Sequence, residues 1–220
     1  MVATPHVSRA YHLAPADIGP RVDWLAAAID AAGVELDVRA GGELAPERIS
    51  QLSREDIAAI GLGGGSCVLL ECPFTRGSAL MDMAMTRLQE WGFRILLAHP
   101  ERSPTYLREP QALRALVERG AMVQVTAASL RGDFGRTPRQ FAKELFRAGR
   151  VHVVASDAHD VQKRGPGIRG PLDDALRSWG LPAALAGWLT EAVPRAVLAD
   201  GPLPPPPRRT TPRRRWPLRS

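Results

Sequence analysis

With 220 residues, 45% of them apolar and 24% charged, the chain has the composition of an ordinary globular protein and the length to bury a full core. No apolar run approaches the length of about 18 residues that a membrane-spanning helix needs, and the opening M-V-A-T-P-H-V-S-R-A lacks the basic-then-apolar order of an export signal, so the expectation is a cytoplasmic protein. The formal charge of +6 is local: residues 201–220 hold Arg208, Arg209, Arg213, Arg214, Arg215 and Arg219 and no acid, leaving 23 basic against 23 acidic residues elsewhere. A neutral body argues against nucleic-acid binding. The Pro/Arg-rich stretch 201–220 reads as a disordered tail, able to touch anionic surfaces, appended to a domain of residues 1–200.

In chain order, apolar runs alternate with amphipathic stretches. A strand is predicted over residues 1–4. Ile18, Val22, Leu25 and Ile29 then recur at helical spacing, and a second strand is predicted over 34–39. Gly61–Ser66, G-L-G-G-G-S, imitates a dinucleotide fingerprint but precedes a strand instead of following one, and reads as a flexible turn. Strands follow over 67–70, 94–98, 121–126 and 151–155, interleaved with helical stripes at Leu113, Leu116 and Val117 and at Phe141, Leu145 and Phe146. Two last helices are predicted over 172–179 and 183–192, stopping before Pro194. Strands apolar on both faces and separated by single helices imply a parallel sheet and an α/β class.

Cys67 and Cys72 are too few for a disulfide framework and lack zinc-site spacing, and C-P-F-T-R, ending at Arg76, is too short for a thiol-phosphatase loop. Both read as buried small residues. The polar residues that matter stand at strand ends. His6, Glu43, Glu71, His99, and Asp157 with His159 each close an apolar run, and the C-terminal ends of parallel barrel strands share one rim. Three carboxylates and three imidazoles make a mixed N/O ligand set suited to manganese, iron or zinc and too nitrogen-rich for calcium. Glu71, after V-L-L, would be costly to bury without a cation. Arg102, in H-P-E-R, and Arg164, beside S-D-A-H-D, are placed to grip phosphate oxygens bidentately. His152, inside V-H-V-V, reads as a packed core histidine, and His12 as a surface one.

The motifs T-P-H, G-G-E, L-L-E, L-A-H-P-E-R, V-Q-V-T-A-A-S-L and H-V-V-A-S-D-A-H-D resemble those of the bacterial metal-dependent tyrosine-protein phosphatases of the polymerase-and-histidinol-phosphatase (PHP) superfamily, from about Val2 to about Leu198. The resemblance implies a distorted (β/α)7 barrel and a cluster of up to three metal ions, usually manganese. It further implies hydrolysis of phosphotyrosine on a membrane-associated bacterial tyrosine kinase that controls capsule and exopolysaccharide synthesis. By that resemblance His6, Glu43, Glu71, His99, Asp157 and His159 are metal ligands, and Arg102 and Arg164 bind phosphate. The family's opening strand, with its H-x-H, has no counterpart. The expectation is about six strands, one βα unit short, with a start assigned too far downstream favoured over a damaged site. The alternatives are another phosphoesterase of the superfamily, acting on histidinol phosphate or nuclease-like, and a non-catalytic scaffold with an anion-binding tail.

Overall fold

Short parallel strands alternate with helices along most of the chain; the computed structural model describes residues 1–11, 13–74, 79–162 and 164–207. The strands are β1 (Val2–Ala3), β2 (His6–Val7), β3 (Arg39–Ala40), β4 (Glu43–Leu44), β5 (Cys67–Glu71), β6 (Arg94–Ala98), β7 (Met122–Thr126) and β8 (Val153–Ala155). β1 pairs with β3, and the other six form one all-parallel sheet in the order β2-β4-β5-β6-β7-β8. Neighbours in the sheet are thus neighbours in sequence, the winding of a barrel wall. At one side the pair β1 and β2 lies beside the pair β3 and β4, each broken in the middle. Pro5 supplies no amide hydrogen there, and a Cβ on Gly42 would sit 2.9 Å from Ile60 Cβ.

The helices are α1 (Pro15–Ala31), α2 (Arg54–Ala59), α3 (Ala79–Glu90), α4 (Pro104–Arg108), α5 (Pro110–Glu118), α6 (Ala127–Arg131), α7 (Arg136–Arg147), α8 (Arg169–Trp179), α9 (Leu185–Gly187) and α10 (Val193–Leu198), with a π-helical turn, Trp188–Ala192, between the last two. Strand alternation divides the apolar residues between two cores. Val68, Leu70, Ile95, Leu97, Val123, Val125 and Val154 face the main helices. Cys67, Leu69, Leu96, Ala98, Met122 and Val153 face the other way, onto Val193 and Val197 of α10. The C-terminal helix therefore fills the concave side of the sheet.

The resemblance implies a distorted (β/α)7-type barrel, here with about six strands; among the described residues six strands form the main sheet, which is open, with β2 and β8 at its edges and no ladder between them. It curls nonetheless, since the rings of His6 in β2 and His159 beyond β8 lie 5.9 Å apart between centroids. The strand predicted over residues 34–39 forms later, as β3 and β4, and leaves Val34 and Leu36 exposed. The last helix runs through Pro194, which occupies its first turn, where a missing amide hydrogen is tolerated. Gly61–Ser66 is a pinned turn instead of a flexible one. The Asp200 carboxylate accepts from the Ser66 amide at 2.9 Å and from its hydroxyl at 2.7 Å, and a Cβ on Gly61 would come within 2.0 Å of the Gly65 carbonyl. Cys67 and Cys72 are free and buried, and burial pushes the Cys67 thiol up to about 12. His152 is largely buried, its Nδ1 accepting from the Val123 amide at 3.1 Å.

The chain stays in contact with the body beyond residue 200, where composition places the start of the tail. Arg94 donates to the Gly201 carbonyl at 3.0 Å, Trp188 Nε1 donates to the Pro204 carbonyl at 3.1 Å, and Leu203 packs on the second core. Proline-rich sequence here lays extended chain across the end of the sheet opposite the strand C-termini. Arg208 and the other tail arginines, with His12 and Arg76, lie outside the described residues. Ending the chain after Asp200 should lower stability in urea by about 2–3 kcal/mol relative to ending it after Pro207, from two hydrogen bonds and one packed leucine. Equal unfolding midpoints would contradict this.

Candidate metal centre

All six strands of the sheet run the same way, so their C-terminal ends open on one rim. His6 in β2 stands in register with Glu43 in β4. Glu71 ends β5, on the concave side with Leu69 and Cys67 by alternation. His99 follows β6, Arg102 closes the turn Pro100–Arg102, and Asp157 and His159 follow β8. His6 Nδ1 lies 4.0 Å from a carboxylate oxygen of Glu43 and 4.0 Å from one of Glu71. His99 Nε2 donates to Glu43 Oε1 at 2.8 Å. The donor atoms of His6, Glu43 and Glu71 fall within 4.8 Å of one another, as the ligands of one ion would.

The other two expected ligands sit at the same mouth in different company. Asp157 accepts from Arg102 at 2.7 Å and from Arg164, so two guanidinium groups answer its charge. His159 Nδ1 lies 3.6 Å from Asp157, with its side chain 41% exposed. The structure thus gathers His6, Glu43 and Glu71 with His99, and places Asp157 and His159 beside them around the two arginines. His99 (φ 38) and Asp157 (φ 50) both hold left-handed backbone that non-glycine residues avoid at about 1–2 kcal/mol. For His99 the conformation lies directly before Pro100. Strain of that kind persists where surrounding structure enforces it, commonly at functional sites.

Electrostatics bear on what the site could hold. Burial, reinforced by the charge of Glu43, pushes the Glu71 carboxyl from 4.5 up to about 7. Burial would also raise Glu43, but the hydrogen bond from His99 and the neighbouring imidazole charge outweigh it and bring Glu43 below 4.5. For His99 burial acts downward and is overcome by the Glu43 hydrogen bond, so its pKa is raised. Its Nδ1 is buried without a hydrogen-bond partner among the described residues. Two carboxylates that resist joint ionisation, an imidazole between them and an orphaned ring nitrogen fit a divalent cation.

Sequence reasoning passed over two features. Glu101, quoted only as part of H-P-E-R, is fully buried, its Oε1 accepting from the Thr126 amide at 3.0 Å and the Ser129 hydroxyl at 2.6 Å. It buckles the Arg102 turn to the β7–α6 junction, and the recurrence of both motifs in one resemblance was the available signal. Aromatic rings also frame the arginines. The Arg102 guanidinium lies 4.2 Å from the Phe134 ring centroid and 5.3 Å from that of Phe74, and Arg164 lies 5.8 Å from Phe134. Tyr11 stacks on His6 at 5.3 Å.

Residues 1–181 match the capsular polysaccharide synthesis family CpsB/CapC. The chain belongs to that family. It is 33% identical over 168 residues to the tyrosine-protein phosphatase YwqE of Bacillus subtilis, covering 74% of this chain and 65% of YwqE. It is 32% identical over 104 residues to CapC of Staphylococcus aureus, covering 47% of this chain and 41% of CapC. The fold superposes with a TM-score of 0.77 and 28% identity on a chain from the crystal structures of YwqE and of CpsB from Streptococcus pneumoniae, described as metal-dependent tyrosine phosphatases. That match spans 94% of this CpsB/CapC chain and 85% of the other.

The shifts set a pH dependence. A carboxyl raised from 4.5 to about 7 ionises less readily folded than unfolded, so Glu71 withdraws stability as pH rises across that interval, on the order of 2–3 kcal/mol. His99, raised above 6.5, contributes stability that is likewise lost as pH rises through its folded value. Glu43 acts oppositely and only at the acid end, below 4.5. In chelator the site should therefore become destabilising between pH 5 and pH 8. Manganese should raise the melting temperature more at pH 8 than at pH 5, and Glu71→Gln should shrink that difference, leaving the part that His99 supplies. A manganese effect independent of both pH and Glu71 would contradict the assignment.

Proposed function

We propose that this CpsB/CapC chain is a metal-dependent phosphohydrolase that removes phosphate from tyrosine on a protein. The observation that carries the reading is the convergence of His6, Glu43 and Glu71 beside a carboxylate-held pair of arginines. The proposed ligands are His6, Glu43, Glu71, His99, Asp157 and His159, with Arg102 and Arg164 as the phosphate-binding groups. A divalent ion, with manganese the first candidate and iron or zinc after it, supplies Lewis-acid polarisation of phosphoryl oxygen and a lowered water pKa when bound.

The chain's own residues supply the rest. Arg102 and Arg164 are held by Asp157 with their guanidinium planes beside aromatic faces, and so reach the mouth already ordered. Forked donors of this kind match the non-bridging oxygens of a phosphoryl group and stabilise charge that grows on them. His99 holds Glu43 in place, and Glu101 holds the turn that carries Arg102. Tyrosine's phenolate, with a pKa of about 10, leaves without strong protonation. No general acid is assigned.

The names of YwqE and of the solved relatives support tyrosine phosphate as the substrate, and the family description supports a role in capsular polysaccharide synthesis. The partner proposed is the phosphorylated tail of a membrane-associated bacterial tyrosine kinase, met on the cytoplasmic side. Among the described residues no helix is long and apolar enough to cross a membrane. The full chain with manganese should release phosphate from a phosphotyrosine peptide. Glu71→Gln and Arg102→Lys should each lower kcat/KM by about 10²–10³-fold, the scale of losing one charge-stabilising group. Variants that match the unsubstituted chain would refute the site.

A further inference from the structure

We propose that Phe74 is the wall of a subsite for the aromatic ring of the leaving group, and so sets the preference of the site for aryl over alkyl phosphate esters. This rests on the phosphohydrolase reading above and extends it to the residue that selects the substrate.

Phe74 is a large apolar side chain left 48% exposed at the mouth. Its backbone is anchored: Cys72 is fully buried, and the Pro73 carbonyl accepts from the buried Ser103 hydroxyl at 2.6 Å. The ring is therefore presented from fixed backbone instead of packed into either core. It faces both parts of the chemistry, 5.6 Å from the His99 ring centroid and 5.3 Å from the Arg102 guanidinium carbon. Arg102 already has a closer aromatic neighbour in Phe134, at 4.2 Å, so steadying the arginine does not require Phe74. Tyr11 has one face stacked on His6, with 13° between the planes, and has no contact with either arginine among the ring contacts of the described residues.

Substrate geometry completes the argument. In an aryl phosphate the ring is joined to phosphorus through one oxygen, so a phosphoryl group gripped by Arg102 brings its ring to Phe74 within the aromatic contact range of about 4.5–7 Å. A serine or threonine phosphate offers only an sp³ carbon there and gains nothing from the ring. An aromatic pair of this kind corresponds to roughly a tenfold preference.

The test uses the full chain with manganese and compares benzylphosphonate, in which one methylene replaces the ester oxygen, with ethylphosphonate as ligands by calorimetry, alongside hydrolysis of phenyl phosphate. Phe74→Ala should weaken benzylphosphonate binding about tenfold and leave ethylphosphonate unchanged. It should lower kcat/KM for phenyl phosphate by the same factor, through KM, with an unaltered melting temperature, and Phe74→Trp should restore both. Equal weakening of the two phosphonates would overturn the proposal and make Phe74 a support for Arg102; no change in either would also overturn it. Failure of the unsubstituted chain to hydrolyse any aryl phosphate would instead overturn the phosphohydrolase reading, while the two binding measurements would still decide the role of Phe74.

Discussion

Glu43 and Glu71 stand on adjacent parallel strands at one rim, within reach of the same imidazole, and their joint ionisation is opposed by burial and by each other. Much of the surrounding architecture bears on that crowded negative charge. Parallel winding delivers residues distant in sequence to a single mouth. The left-handed backbone of His99 turns a ring onto Glu43 at the cost of local strain. Asp157, which would add to the same charge, is matched by two arginines. A protein selected for stability alone would place apolar residues here, since buried carboxylates weaken a fold unless something answers them.

The two cores divide the work of holding that mouth. The outer one, between sheet and helices, fixes the strand positions, and the inner one, closed by Val193 and Val197, fills the concavity beneath the site. At the opposite end Asp200, Gly201 and Pro204 bind the chain back to Ser66, Arg94 and Trp188. The polar residues on the rim are thereby backed by packed structure on both sides of the sheet.

Strand-end logic made the site legible in the sequence, because a polar residue that stops an apolar run is placed by the run itself. β6 could be read to the residue for the same reason: R-I-L-L-A is bounded by a glycine-containing turn and a proline. Residues 34–39 misled because Val34 and Leu36 alternate like strand residues. The burial that would hold them is absent, and the pairing that forms is the one placing Glu43 opposite His6. Closure of the sheet depends on pairing between its two edges, which periodicity along one strand does not encode. The partners of Asp157 were hidden for a related reason. Arginine, histidine and a metal ion are interchangeable answers to a carboxylate until three dimensions show which is nearest. Glu101 escaped because it lies inside a motif already credited to its neighbours, and Phe74 because C-P-F-T-R was weighed only as a thiol loop and set aside.

A cation in the space between those two carboxylates is what the electrostatics of the rim call for. Crystals of the full chain grown with manganese and measured on both sides of its absorption edge give the most direct answer. An anomalous peak bounded by His6, Glu43 and Glu71, absent from Glu71→Gln crystals, is the predicted result. A fully ordered mouth at saturating manganese with no peak there, or with manganese bound only elsewhere on the surface, would contradict it.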